Sequence, residues 1–298
     1  MQITEIKCKT ALSKSNLPHL DYALNPYRGC EHGCIYCYAP AVLRETRKWG
    51  SFVDAKINIA EVLSKETKKV NYAHLKVRAF PNLGDMSTPP LKGRALPPKF
   101  VNKGTVGIGT VTDAYQPLEK RYELTRKCLA ELLKHDFPIS IQTKSSLVLR
   151  DLDIIKQFSK KDIGITVTTV DDEIRMKYEP RTSSVEEKFS ALKKFADEGI
   201  DTWMFLGPIM PYITDRNNDL SELIKFANDC NVKTIIIDKL RLKPGLWKNI
   251  SEFLEKHYLE LMPSYKEALG DDSTYFRRVF SEVEKLCLKY NIKCEHAF

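Results

Sequence analysis

The sequence predicts an α/β fold, a partial (β/α)6 barrel with an N-terminal extension and a helical C-terminal cap. Three observations predict it. Short β-branched apolar runs recur along the chain. Amphipathic segments with a 3.6-residue period separate them. The runs number six, short of the eight that close a barrel.

The first strand is expected near Tyr22–Asn25, entering a cysteine-rich loop. The second is Thr105–Val111 (TVGIGTV), bounded by Gly104. PISIQT, IGITVTT, TWMFLG and TIIID follow, starting at Pro138, Ile163, Thr202 and Thr234. Between them, Leu118–Lys134 and Val185–Asp197 carry apolar stripes, and Leu220–Cys230 reads as a further helix. Ser184 with Glu187 forms a capping box before the second of these, and Asp219 with Glu222 is placed to cap the third. Such alternation means parallel strands joined by right-handed crossovers, with chemistry at the carboxyl ends of the strands. After Trp247 the chain reads as helical, with a short strand near Asn291–Cys294. The expected organisation is an extension over 1–21, a barrel over 22–245 and a cap over 246–298. One segment breaks the rhythm. Residues 71–103 carry Pro81, Pro89, Pro90, Pro97 and Pro98 and read as an insertion, either a surface excursion or a substrate lid.

Composition narrows the class. Of 298 residues, 43% are hydrophobic and 29% charged, and no run of apolar residues is long enough for a membrane span. The first fifteen residues lack the apolar core of a signal peptide, so a cytoplasmic location is expected. The net charge of +8 favours polyanions weakly, since Lys and Arg are spread along the chain.

Three of the eight cysteines fall within NPYRGCEHGCIYCYA: Cys30, Cys34 and Cys37. Clustered thiols in a reducing compartment read as metal ligands, and thiolates select zinc or iron–sulfur clusters. A closed zinc site needs a fourth ligand. His32 lies inside the span and is expected to point elsewhere, and the spacing of Cys8 is unlike common zinc pairs. A four-iron cluster needs only three, leaving one iron open to a ligand. The remaining cysteines (Cys8, Cys128, Cys230, Cys287 and Cys294) read as small buried hydrophobes.

Cys-x3-Cys-x2-Cys, with Tyr36 before the last cysteine, resembles the radical S-adenosylmethionine (SAM) superfamily. The likeness extends to the spore photoproduct lyase subgroup through GTVTDAYQPLEKRYELTR, QTKSSLVLRDLDII, YEPRTSS and LGPIMP, in that order. The resemblance implies a [4Fe–4S] cluster on Cys30, Cys34 and Cys37. It implies SAM chelated at the open iron and cleaved to a 5′-deoxyadenosyl radical that takes a hydrogen from the substrate. It also implies an external electron donor, a flavodoxin or ferredoxin.

Residue by residue, the resemblance places SAM against Tyr36 and Tyr38, rings suited to stacking and cation–π contact. It adds the hydroxyl of Thr112 before Asp113, the ammonium of Lys144, the hydroxyl of Thr168 and the small residue Gly207. Asp113 and Glu179 are expected to bind SAM or substrate, or to cap helices. There is one departure. Thr110 stands where the lyase keeps the cysteine that returns hydrogen to its substrate, and a hydroxyl is a poor hydrogen-atom donor. The subgroup implies a nucleic-acid base as substrate, a DNA lesion or an RNA nucleoside. Arg277 with Arg278, and Lys239 with Arg241 and Lys243, are candidate phosphate contacts or solvated faces. Two alternatives stay open: a radical SAM enzyme for a peptide or small metabolite, and a non-catalytic metal-binding nucleic-acid module.

Overall fold

Aliphatic, β-branched runs make strands that are covered on both faces, and that is where they lie in the computed structural model, which describes residues 1–78, 103–270 and 274–297. The strands are β1 (Gln2–Ile6), β2 (Leu12–Lys14), β3 (Tyr22–Leu24), β4 (Tyr27–Gly29), β5 (Phe52–Lys56) and β6 (Val106–Ile108). They continue as β7 (Ile139–Thr143), β8 (Lys161–Thr166), β9 (Asp201–Ile209), β10 (Thr234–Lys239) and β11 (Lys293–His296).

The main sheet has eight strands in the order β11-β10-β9-β8-β7-β6-β3-β2. Every neighbouring pair from β3 to β11 is parallel, and β2 runs antiparallel on β3. The six expected strands are β3 and β6 to β10. The sheet stays open, with β2 and β11 as its edges. Its core includes Ile108, Ile141, Ile165, Met204, Leu206, Ile235 and Ile237, all buried. A second sheet, β1-β5-β4, is built by the N-terminal region and leads into the cysteine loop. At Gly29 the chain turns with φ +85°, and a Cβ there would meet the Phe52 carbonyl at 2.5 Å. Only glycine suits that corner.

Several expected elements are corrected. The second strand spans Val106–Ile108 rather than Thr105–Val111, because Gly109 turns with φ +85° and Asn25 captures the backbone beyond it. Leu118–Lys134 is two helices, Glu119–Tyr122 and Leu124–Leu133. They part at Glu123, φ +52°, where the buried Glu119 carboxylate accepts the Thr125 and Arg126 N–H groups. The third helix starts at Asn217 behind Arg216. Asp219 does not cap it; its carboxylate accepts the Arg216 Nε–H at 2.6 Å. The capping box of Ser184 and Glu187 forms, and its helix spans Val185–Asp197.

The C-terminal part is helical over Leu246–His257, Met262–Ala268 and Tyr275–Lys289. Its strand is Lys293–His296 rather than Asn291–Cys294, because Asn291 turns with φ +54°. Cys128, Cys230 and Cys287 are buried, while Cys8 and Cys294 are half-buried. No helix among the described residues is long and apolar enough to cross a membrane. Of the proline-rich insertion, 71–78 continues the helix Ile59–Arg78. The lid reading concerns residues outside those described.

Candidate functional site

The cysteine loop follows β4 and is fastened from several directions. Thr112 Oγ donates to the Gly29 carbonyl at 2.6 Å, and Gln116 accepts the Glu31 N–H at 2.8 Å. Ile35 N–H donates to the Tyr178 carbonyl, and Arg181 reaches both the Glu31 and the Gly50 carbonyls. Cys30 and Cys34 are buried and Cys37 is half-buried. Each of the three thiols lies close enough to the other two for their charges to interact.

Burial pushes the Cys34 thiol well up and Cys37 up to about 12. Lys144 opposes both shifts, and the Ala39 and Trp49 N–H groups offer hydrogen bonds to Cys37. Dry thiols of this kind become stable thiolates against a metal's charge. Among the described residues no three His, Cys, Asp or Glu side chains converge as one metal ion requires. Three mutually close soft donors suit a cluster, in which each thiolate holds a separate iron.

His32 is not turned away as expected. It is buried, hydrogen-bonded to Cys30, with Nδ1 3.3 Å from Asp113 Oδ2. Burial alone would lower its pKa, but Asp113 and Cys30 raise it to about 10. Burial alone would raise Asp113; His32, the Lys144 N–H and the Thr143 hydroxyl bring it down to about 2. Asp113 therefore works as a tie. It accepts Thr143 Oγ at 2.7 Å and Lys144 N at 2.8 Å, joining the loop after β6 to the end of β7.

Around these thiols the structure gathers the other expected residues at the carboxyl ends of the strands. Lys144 Nζ lies 5.6 Å from the Tyr36 ring centroid and 3.6 Å from Glu179 Oε1. Burial lowers the Lys144 pKa. The Tyr36 hydroxyl donates to Glu179, and the Tyr36 and Tyr178 rings sit 5.8 Å apart. Tyr38 is 46% exposed, and its hydroxyl donates to the Thr110 carbonyl at 3.1 Å. Thr110 Oγ accepts from Asn25 Nδ2 at 3.0 Å. Thr110 and Thr112 lie in the loop beyond β6, and Thr168 lies two residues past β8.

Three expected contacts are otherwise engaged. Thr112 braces the cysteine loop, Thr168 Oγ shares a 2.7 Å hydrogen bond with Tyr178, and a Cβ on Gly207 would meet Phe205 and Asp238. Gly207 is thus small for packing within the sheet. Sequence reading missed Lys188, which is 1% exposed and 3.0 Å from the buried Glu179 carboxylate. Its signal was a lysine on the apolar stripe of Val185, Phe189 and Leu192. It also missed Asn25, whose partner Thr110 lies 85 residues on, and Trp49, which reaches back to Cys37.

The model for the radical SAM superfamily matches residues 92–227. Over this stretch the chain is similar to radical SAM proteins. The matched stretch begins after the three cysteines, so the superfamily assignment and the thiol spacing are independent observations. That superfamily comprises enzymes whose cofactors are a [4Fe–4S] cluster and SAM, and the match supports an enzyme over the non-catalytic alternative for this chain. Its fold matches spore photoproduct lyase complexed with dinucleoside spore photoproduct: TM-score 0.68, 15% identity, 99% of this chain and 82% of the lyase. A lyase mutant with bound AdoMet and the same dinucleoside matches equally, at 0.68 and 15%. An uncharacterized protein of Methanocaldococcus jannaschii is 29% identical over 294 residues, covering 98% of this chain and 95% of the relative. One of Mycobacterium tuberculosis is 25% identical over 312 residues, covering 98% and 82%.

Proposed function

We propose that this enzyme removes a hydrogen atom from a nucleic-acid base, in a DNA lesion or an RNA nucleoside, with its cluster on Cys30, Cys34 and Cys37. The observation that carries the reading is the fold shared over 99% of the chain with a lyase complexed with a dinucleoside. The basic balance of 47 Lys+Arg against 39 Asp+Glu agrees with a polyanionic substrate. When bound, the cluster and SAM supply the radical chemistry.

The chain's own residues hold and shield. Lys144 offers an ammonium to the methionyl carboxylate, and Glu179 with Lys188 fixes that ammonium's position. Tyr36 and Tyr38 supply ring faces, one buried and one open to the mouth of the site. Thr112 and Thr168 act on SAM through what they hold, the cysteine loop and Tyr178. The Gly207 backbone forms part of the wall beside Asp238. Glu119, Tyr115 and the sheet core close the underside to water. Thr110 separates this enzyme from the lyase reaction. Its hydroxyl is pinned by Asn25 and cannot serve as a thiol does, so hydrogen return to a thymine dimer by that route is not part of the reading.

The test is anaerobic reconstitution, followed by SAM and dithionite. The parent protein is expected to turn brown and form 5′-deoxyadenosine. Cys30→Ala, Cys34→Ala and Cys37→Ala each lose the iron and the product. Lesion-bearing DNA and unmodified RNA are then supplied, one deuterated at the base. A higher deoxyadenosine yield with deuterium in the product supports a base substrate. A yield raised only by peptides or small metabolites rejects it.

A further inference from the structure

The cysteine loop has one side that faces solvent, and its surroundings are built from charge. Cys37 is half-buried where Cys30 and Cys34 are buried. The indole N–H of Trp49, itself half-buried, is a hydrogen-bond partner of the Cys37 thiol. Around Trp49 the chain presents Arg28, Arg44, Lys48 and Arg181 as exposed side chains. The acids of this region turn inward. Glu45 (4% exposed) and Asp54 (9%) are held by Arg47, and Glu45 also by Arg28. Among the described residues no ion pair engages Arg44 or Lys48, so both cations stay available.

The face is also stiff. The Arg47 guanidinium lies 3.6 Å over the Phe52 ring, whose centroid is 6.0 Å from that of Trp49 in an edge-on contact. Arg181 Nη2 donates to the Gly50 carbonyl at 2.7 Å. Preorganised cations around a half-exposed aromatic ring, directly against a metal-ligand candidate, suit a brief encounter steered by charge. Electron-transfer pairs form small, weak interfaces of this kind.

We propose that the face of Trp49, Arg44, Lys48, Arg28 and Arg181 docks an acidic one-electron carrier, a reduced flavoprotein or ferredoxin, and that electrons enter the site beside Cys37. The proposal rests on the reading that Cys37 holds the cluster. In the transfer the carrier loses one electron and the metal group gains one; no bond forms or breaks. Trp49 sets the approach and its ring fills the gap between the surface and the thiolate.

The test mixes photoreduced flavodoxin anaerobically with the reconstituted protein and follows flavin oxidation by stopped flow at low and high salt. Arg44→Glu/Lys48→Glu is expected to slow electron delivery about tenfold at low salt. The gap narrows at high salt. Deoxyadenosine formation with dithionite, a small reductant that needs no docking, stays at the parent's rate. Lys285→Glu/Lys289→Glu makes the same charge change on the helix beside β10 and β11 and leaves flavin oxidation at the parent's rate. If both double variants slow alike, or Arg44→Glu/Lys48→Glu takes electrons as fast as the parent, the docking face is wrong. If the parent makes no deoxyadenosine with dithionite, the cluster reading fails and the docking face with it.

Discussion

Lys188 and Glu179 show what a single buried charge does in this protein. Both are essentially out of water, 1% and 0% exposed, and each compensates the other at 3.0 Å. Removing one partner leaves a stranded charge in a poorly solvated place. Lys188→Met is expected to cost about 3 kcal/mol in urea unfolding. The double change Glu179→Gln/Lys188→Met recovers part of that loss, because only the Lys144 ammonium, 3.6 Å from the same carboxylate and less deeply buried, is left without its partner. A double variant as unstable as the single one would assign the effect to packing. At this scale the cysteines, Lys144 and both tyrosines were legible, because their chemistry is local to short words. Lys188, Asn25 and the tie at Asp113 were not. Asn25 and Asp113 meet partners 85 and 31 residues away, and Glu179, nine residues before Lys188, meets it only because two helices fold back on each other.

Elements follow the local rules where those rules are strong. The Ser184 hydroxyl accepts the Glu187 N–H at 3.2 Å, and the Glu187 carboxylate accepts the Ser184 N–H at 2.8 Å. Ser184→Ala is expected to cost about 1 kcal/mol, read as a shift in the unfolding midpoint. Gly164, inside β8, lies under the Trp203 ring, whose Nε1–H donates to Asp162 at 2.7 Å. Gly164→Ala pushes its methyl into that ring and should lose about 2 kcal/mol. Gly164→Ala/Trp203→Phe, with less ring to displace, should lose less. Central strands were readable because burial on both faces demands continuous apolar runs. β1 and β5 were not. QITEI alternates with exposed positions, and FVDAK hides Asp54, whose charge is met by the guanidinium of Arg47 in the preceding loop. The break at Glu123 was equally hidden, since it depends on the Glu119 carboxylate catching the next turn.

The whole molecule carries a pH signature on the site's rim. Asp238, at the end of β10, has its carboxyl pushed up by burial to about 6, with Arg241 pulling the other way. The folded protein therefore keeps a proton that the unfolded chain gives up near the ordinary aspartate value of 3.8. Stability falls as pH rises from about 4 to about 6, then levels off. Asp238→Asn removes that slope. Urea midpoints at several pH values should show parent and variant diverging within this window and running parallel above it. Parallel curves throughout would mean that Asp238 titrates normally. The same scale explains what the sequence could say about architecture. Six parallel strands were countable from their cores, whereas the flanking strands β2 and β11 are short and half-exposed and add themselves only by pairing.

β11 has a consequence for how the chain is made. It pairs in parallel with β10 through Thr234–Lys293 and the next three positions, so the hydrogen-bonding rim of β10 stays bare until Lys293–His296 has been made. A nascent or prematurely terminated polypeptide ending before Lys293 would expose a strand of isoleucines to its neighbours on the polysome. Aggregation in cells should then depend on whether this strand is present more than on anything at the cysteine loop.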